Sequence, residues 1–190
     1  MGSSPTGGAI LSSRKKMIER QNLIEFYGKE VTVIGKDIHI GQDAPEFVAT
    51  TQKWENISVL AYTKNKVRII VSVPSLDTEV CDRVTRTFNM ETSQLSNDIT
   101  IIVISADLPF SQNRWCGATG VDKIFILSDH KSMDFGEKYA CLLKEPRILR
   151  RAVFVINKKE KVEYSDYMSD LGLEPDYKAV LRSARNALRI

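Results

Sequence analysis

No run of about twenty apolar residues, the length a membrane helix needs, occurs in this chain of 190 residues. No apolar core ahead of a small-residue cleavage site opens it either. A cytoplasmic protein off the membrane is therefore expected, with its thiols normally reduced. Cysteine is scarce. Cys81, Cys116 and Cys141 are the three present, too few and too scattered for a disulfide framework or a zinc site. No CxxC pair occurs, which disfavours a disulfide reductase working through two adjacent thiols. The two histidines, His39 and His130, have no metal-ligand companion at helical or hairpin spacing and are expected at surface or turn positions. Basic charge is also less than it looks. The formal net charge is +3, but Arg14, Lys15 and Lys16 lie in residues 1–16, which hold no acid, so the rest of the chain is neutral. A nucleic-acid binder carries its basic face on the domain itself, so no nucleic-acid partner is expected. The N-x-S match at Asn56-Ile57-Ser58 is read as chance.

What remains is 43% hydrophobic and 27% charged, enough for one domain with a full core. Residues 1–22 begin with a small, polar stretch and are expected to be a disordered leader or added tail. Residues 23–190 form the expected domain. Residues 30–34 and 38–40 alternate around glycine and predict an N-terminal β-hairpin. Residues 47–50 predict a short strand. Residues 67–73, mostly β-branched on both faces, predict a central one. A helical pattern runs from Thr78 to about Leu95, and a second buried strand covers 99–104. Asp107 is expected to cap the next helix, with Pro109 in its first turn and its end near Cys116-Gly117. Gly117-Ala118-Thr119-Gly120 lacks the lysine of a phosphate loop and reads as a helix stop. A short strand at 124–127, a helix over 132–139, a hairpin joining 152–156 to 162–164 and a helix opening at Glu174-Pro175-Asp176-Tyr177 complete the chain. Strands alternating with helices describe an α/β sandwich. The order β-α-β-α-β-β-α after a hairpin suits a thioredoxin-like core.

Cys81 is the candidate with chemistry. It follows a buried strand and Pro74, one turn into a helix, and Thr78 shares its helix face. A free cysteine with pKa near 8.5 is only about 3% thiolate at neutral pH. A helix N-terminus contributes about 0.3–2 kcal/mol, so full ionisation calls for a cation. Arg83, Arg86 and Arg150-Arg151 are available. The alternative reading of a lone cysteine here is a small buried hydrophobe. Cys116, at the end of the next helix, could meet Cys81 after movement.

Pro74-x-x-x-Thr78-x-x-Cys81 resembles the active-site signature of the peroxiredoxins. Residues Ser105-Ala106-Asp107-Leu108-Pro109-Phe110-Ser111-Gln112-Asn113-Arg114-Trp115-Cys116-Gly117 resemble the resolving-cysteine segment of the bacterial thiol peroxidase subfamily. Arg151-Ala152-Val153-Phe154-Val155-Ile156 resembles that family's arginine strand. The likeness runs in order from about Phe26 to Leu188. It implies that Cys81 is the peroxidatic cysteine and forms a sulfenic acid. It implies that Cys116 resolves this acid into an intramolecular Cys81–Cys116 disulfide. Thr78 would hydrogen-bond the thiolate and the peroxide, Arg151 would hold the thiolate ionised, and Pro74 would shield the sulfur from water. Thioredoxin is the implied reductant, a homodimer the implied assembly, and no cofactor or metal is required. The expected function is the reduction of hydrogen peroxide and organic hydroperoxides in antioxidant defence. The alternative is a redox-sensing or chaperone-like interaction protein using the same disulfide switch. Three positions depart from the pattern. Glu79 stands where a small residue is expected, Trp115 where phenylalanine is usual, and Cys141 where an aliphatic residue is usual. Cys141 is read as packing. Of the basic cluster Lys144, Arg147, Arg150 and Arg151, only Arg151 is singled out by the resemblance, and the cluster is otherwise read as a solvated loop.

Overall fold

The computed structural model describes residues 17–190. The first sixteen residues of the expected leader lie outside that range. Ahead of residue 23, Glu19–Arg20 already form strand β1. Strands β2 (Glu25–Phe26), β3 (Lys29–Glu30) and β4 (Val33–Ile34) follow, then β5 (Val48–Thr51), β6 (Asn56–Ser58), helix α1 (Val59–Tyr62) and β7 (Val67–Ser72). Helix α2 (Glu79–Glu91), β8 (Ile99–Ser105), α3 (Pro109–Thr119), β9 (Phe125–Ser128) and α4 (Asp134–Lys138) make the middle of the chain. Strands β10 (Leu142–Leu143), β11 (Ile148–Leu149), β12 (Ala152–Ile156) and β13 (Val162–Tyr167) precede the last helix, α5 (Tyr177–Ala187). None of the helices among the described residues is long and apolar enough to cross a membrane.

Seven strands form the central sheet, in the order β13-β12-β7-β8-β9-β5-β6. β7, β8 and β9 run parallel, and β12 pairs antiparallel with β7. The strands are apolar on both sides because the sheet is covered on both sides. Their alternation divides the core in two. Ile69 and Val71 of β7, Ile101 and Val103 of β8, and Val153 and Val155 of β12 face one cluster, with α2 and α5 packed over it. Ile70, Ile102, Ile104 and Phe154 face the other, which holds Phe47, Phe135 and Tyr139. This is the expected thioredoxin-like α/β arrangement.

Two local expectations are corrected. The N-terminal hairpin exists, but it joins β2 to β3. β4 pairs with β1 and β10, and residues 38–40 form no strand. The backbone of Ile38 is occupied by side chains instead: its N–H donates to Tyr167 Oη at 2.8 Å and its carbonyl accepts from Ser165 Oγ at 2.7 Å. The second correction concerns Asp107. It does not cap α3, whose N-cap is Leu108 without a side-chain cap bond. Its carboxylate reaches back to the segment before α2, as described below. α3 also runs past Cys116-Gly117 to Thr119, where Gly120 in the left-handed region (φ 68°) ends it.

Candidate active site

The register of the sheet decides where the site lies. Ser72 of β7 stands opposite Ile104 of parallel β8 and opposite Ala152 of antiparallel β12. The exits of β7 and β8 and the entrance of β12 therefore share one edge. In open α/β sheets this carboxyl end is where sites are built. Pro74 and Asp107 follow the two exits, and Arg151 precedes the entrance.

Asp107 fastens the first of these loops. One carboxylate oxygen accepts from Ser75 Oγ at 2.7 Å. The other accepts from Leu76 N and from Ser105 Oγ, each at 2.8 Å. Ser105 Oγ in turn accepts from Gln112 Nε2 at 3.1 Å, tying the loop to buried Gln112 of α3. Thus fixed, the chain enters α2 at Thr78, and Cys81 is the third residue of that helix. Cys81 is fully buried.

Two donors meet its sulfur. Thr78 Oγ1 donates at 2.7 Å and Arg151 Nη2 at 3.4 Å. Thr78 makes no backbone cap bond, so its hydroxyl is free for this role. It also lies 3.1 Å from the Ser75 carbonyl. A hydroxyl has one proton, so it donates to a thiolate at Cys81, or turns to Ser75 when the sulfur carries its own proton. Arg151 is buried, and Nη2 donates also to the Leu171 carbonyl at 2.8 Å. Its Nε and Nη1 are buried with no partner among the described residues, so unused donors sit on the guanidinium that contacts the sulfur. Pro74, at the exit of β7, is buried.

The remaining candidate cations are engaged elsewhere. Arg83 pairs with Glu79 at 2.7 Å and Glu174 at 3.0 Å, and Arg86 with Asp82 at 2.8 Å. Glu79 is 88% exposed and paired with Arg83, so its charge lies in solvent. The cluster around Arg151 is dispersed rather than a single solvated loop. Lys144 bonds Glu19, Arg150 is buried against Asp37 and the Tyr167 ring, and Arg147 is exposed in the β10–β11 turn. His39 is exposed. His130 is half-buried, with Nδ1 2.8 Å from Ser128 Oγ and its ring against Trp54.

Cys116 lies half-buried on α3 and packs against the same apolar cluster that holds Cys81. Its sulfur accepts a hydrogen bond from Gln52 Nε2 at 3.1 Å. Burial pushes its thiol pKa up, and the Gln52 amide pulls it back. Trp115 Nε1, donating to Asp82 at 3.1 Å, ties the two helices that carry the sulfurs, and Arg114–Asp77 at 3.3 Å ties α3 to the segment ahead of α2. Cys141 belongs to the cluster on the opposite face of the sheet. Burial pushes its thiol up to about 12. All three cysteines are free.

Residues 39–181 match the Redoxin family. The thiol peroxidase of Bacillus subtilis (strain 168) is 46% identical over 162 residues, which cover 85% of this chain and 96% of that protein. The chain belongs to the thiol peroxidases of the peroxiredoxin class. The thiol peroxidase of Oceanobacillus iheyensis is 43% identical over 158 residues, covering 83% of this chain and 95% of that protein. Among solved structures, a peroxiredoxin-like protein from Aquifex aeolicus superposes with a TM-score of 0.78 at 33% identity, covering 90% of this chain and 98% of that one. A member of this family is an oxidoreductase that reduces peroxide at the expense of a thiol, so peroxide is the substrate class and a thiol the reductant class.

Sequence reasoning singled out Cys81, Thr78, Arg151, Pro74 and Cys116, and the fold brings the first four to one sheet edge. It missed Gln52 and the true part of Asp107. Neither carries a local signal, because Gln52 is 64 residues from Cys116 and Asp107 is 31 from Leu76.

Proposed function

We propose that Cys81 is the peroxidatic cysteine, that Cys116 resolves it into an intramolecular disulfide, and that thioredoxin reduces that disulfide. The observation that carries this reading is the convergence of Thr78 Oγ1 and Arg151 Nη2 on a fully buried Cys81 sulfur at the start of a helix. Hydroxyl, guanidinium and helix end all favour negative charge there.

The thiolate attacks the terminal oxygen of the peroxide. A sulfur–oxygen bond forms, the oxygen–oxygen bond breaks, and the departing alkoxide or hydroxide takes a proton to leave as alcohol or water. Donors held in place before the reaction stabilise charge as it passes from sulfur to the leaving oxygen, so their effect is on the transition state. The unpartnered Nε and Nη1 of Arg151 supply such donors. Pro74 and the loop held by Asp107 keep water from the sulfur.

The Cys116 thiol then condenses with the Cys81 sulfenic acid, releasing water and forming the disulfide. The two cysteines are free and sit on separate helices, a disulfide needs Cα atoms within about 7 Å, and the proposed closure includes unwinding of part of α2 or α3. The enzyme acts on hydrogen peroxide and organic hydroperoxides in the cytoplasm, as a homodimer. Supplied with thioredoxin, its reductase and NADPH, the native chain consumes peroxide catalytically. Cys81→Ser consumes none, and Cys116→Ser oxidises once and stops. A single stoichiometric oxidation in the native chain would move the reading to a redox sensor or chaperone-like switch.

A further inference from the structure

We infer that Gln52 is a catalytic residue of the resolving step, its side-chain amide donating to the Cys116 sulfur and favouring the thiolate that attacks the sulfenic acid. The inference rests on the reading of Cys116 as the resolving cysteine. Gln52 lies in the turn between β5 and β6, and its Nε2 stands 3.1 Å from Cys116 Sγ. This is not a loosely placed side chain. The Gln52 backbone carbonyl accepts from Asn113 Nδ2 at 3.0 Å, and Asn113 lies one helical turn before Cys116, on the same face of α3. Within the turn, Thr51 Oγ1 accepts from the N–H groups of Lys53 and Glu55, both at 3.2 Å. The residue is therefore held against α3 at two points, one through its backbone carbonyl and one through its side-chain amide, before any reaction begins.

A neutral thiol is a weak acceptor, whereas a thiolate is a strong one. The same N–H consequently stabilises the ionised sulfur more than the protonated one. Burial works in the opposite direction at this half-buried cysteine, and the amide is the side chain that offsets it. Among the charged groups on the neighbouring segments, Arg114 pairs with Asp77 and Asp82 with Arg86 and Trp115, while Lys53 and Glu55 of the turn are exposed to solvent. Each redox sulfur thus has its own donor set, Thr78 with Arg151 for Cys81 and Gln52 for Cys116.

In the step itself the Cys116 thiol loses its proton and the thiolate attacks the sulfur of Cys81–SOH. The sulfur–sulfur bond forms, the sulfur–oxygen bond breaks, and the released hydroxide takes up a proton to leave as water. No further oxidant or reductant is needed. Because the attacking species is the thiolate, closure below the thiol pKa slows in proportion to any rise in that pKa.

The test begins without peroxide. In a Cys81→Ser background, the pH dependence of Cys116 alkylation by iodoacetamide is read by peptide mass spectrometry, which separates it from Cys141. Gln52→Leu moves the Cys116 midpoint up by about half to one pH unit, the size expected for loss of one hydrogen bond of ordinary net strength. Gln52→Glu has similar length but no N–H, and moves it at least as far. With Cys81 restored, disulfide closure in Gln52→Leu falls about threefold to tenfold at neutral pH relative to the rate of Cys81 oxidation. An unchanged midpoint overturns the inference, and so does faster closure, which would make the amide a latch. The alkylation midpoint does not depend on Cys81 chemistry. A chain that fails to form the Cys81–Cys116 disulfide at all would count against the reading of the site, not against the Gln52 contact.

Discussion

The indole N–H of Trp115 donates to Asp82 Oδ1 at 3.1 Å, and each of these residues is the immediate chain neighbour of one of the two cysteines proposed to react, Cys116 and Cys81. The bond joins the two helices that, on the proposed mechanism, rearrange for the disulfide to close. Phenylalanine at this position would fill the space and donate nothing. A net hydrogen bond contributes about 0.5–1.5 kcal/mol. Trp115→Phe therefore accelerates disulfide closure after oxidation by about twofold to tenfold, as rapid acid quench and thiol labelling would measure. Slower closure in that variant would show that the indole organises the reactive conformation rather than restraining it.

Thr78 offers a sharper test of the first chemical step. Its hydroxyl is the shortest contact to the Cys81 sulfur, at 2.7 Å. Thr78→Val is nearly isosteric and removes the donor. The rate of Cys81 oxidation falls by about 10²-fold, the usual cost of losing one organised donor at a developing charge. Thr78→Ser retains most of the rate. Stopped-flow oxidation with a single equivalent of peroxide separates the variants, and equal rates in both would remove the hydroxyl from the mechanism.

Asp107 supports the site from beneath. Its carboxylate accepts from Ser75 Oγ, Leu76 N and Ser105 Oγ. Asp107→Ala leaves those donors without their acceptor and costs about 1–3 kcal/mol of stability in urea denaturation. It also slows Cys81 oxidation, since the Pro74 loop is no longer fixed over the sulfur. Asp107→Asn, with one oxygen left to accept, falls between the native chain and Ala. A stability loss with an unaltered oxidation rate would confine Asp107 to folding.

A pH-dependent term arises on the other face of the sheet. Asp37 meets both Arg20 and buried Arg150. Burial opposes its ionisation, but the two guanidiniums win and hold its carboxyl below the usual range. A depressed folded-state pKa contributes stability that is present above the ordinary carboxylate value near 4 and is lost as pH falls below it. Asp37→Asn destabilises the fold by about 1–3 kcal/mol at neutral pH, and its difference from the native chain shrinks towards pH 3. A difference that stays constant or grows in acid would contradict the assignment.

Much of this architecture was readable before the fold was known. β7, β8 and β12 announce themselves as β-branched runs apolar on both faces, and the helix over Cys81 shows its period. What stayed hidden depends on distant partners. β10 and β11 are two residues each, and β10 finds β4 more than a hundred residues away, so no local pattern marks them. Residues 38–40 read as a strand, yet Ser165 and Tyr167 take the Ile38 backbone first. Asp107 has the local look of a helix cap before Pro109, and only the parallel register of β7 and β8 brings Ser75 and Leu76 to it.

Cys81 and Cys116 pack on one face of the central sheet and Cys141 on the other, and this geometry gives the most direct measurement. The reduced chain is treated with one equivalent of peroxide, remaining thiols are labelled under denaturing conditions, and the peptides are assigned by mass spectrometry. The account predicts a single Cys81–Cys116 disulfide with Cys141 fully labelled. A disulfide that includes Cys141, or oxidation that leaves Cys81 labelled, would contradict it.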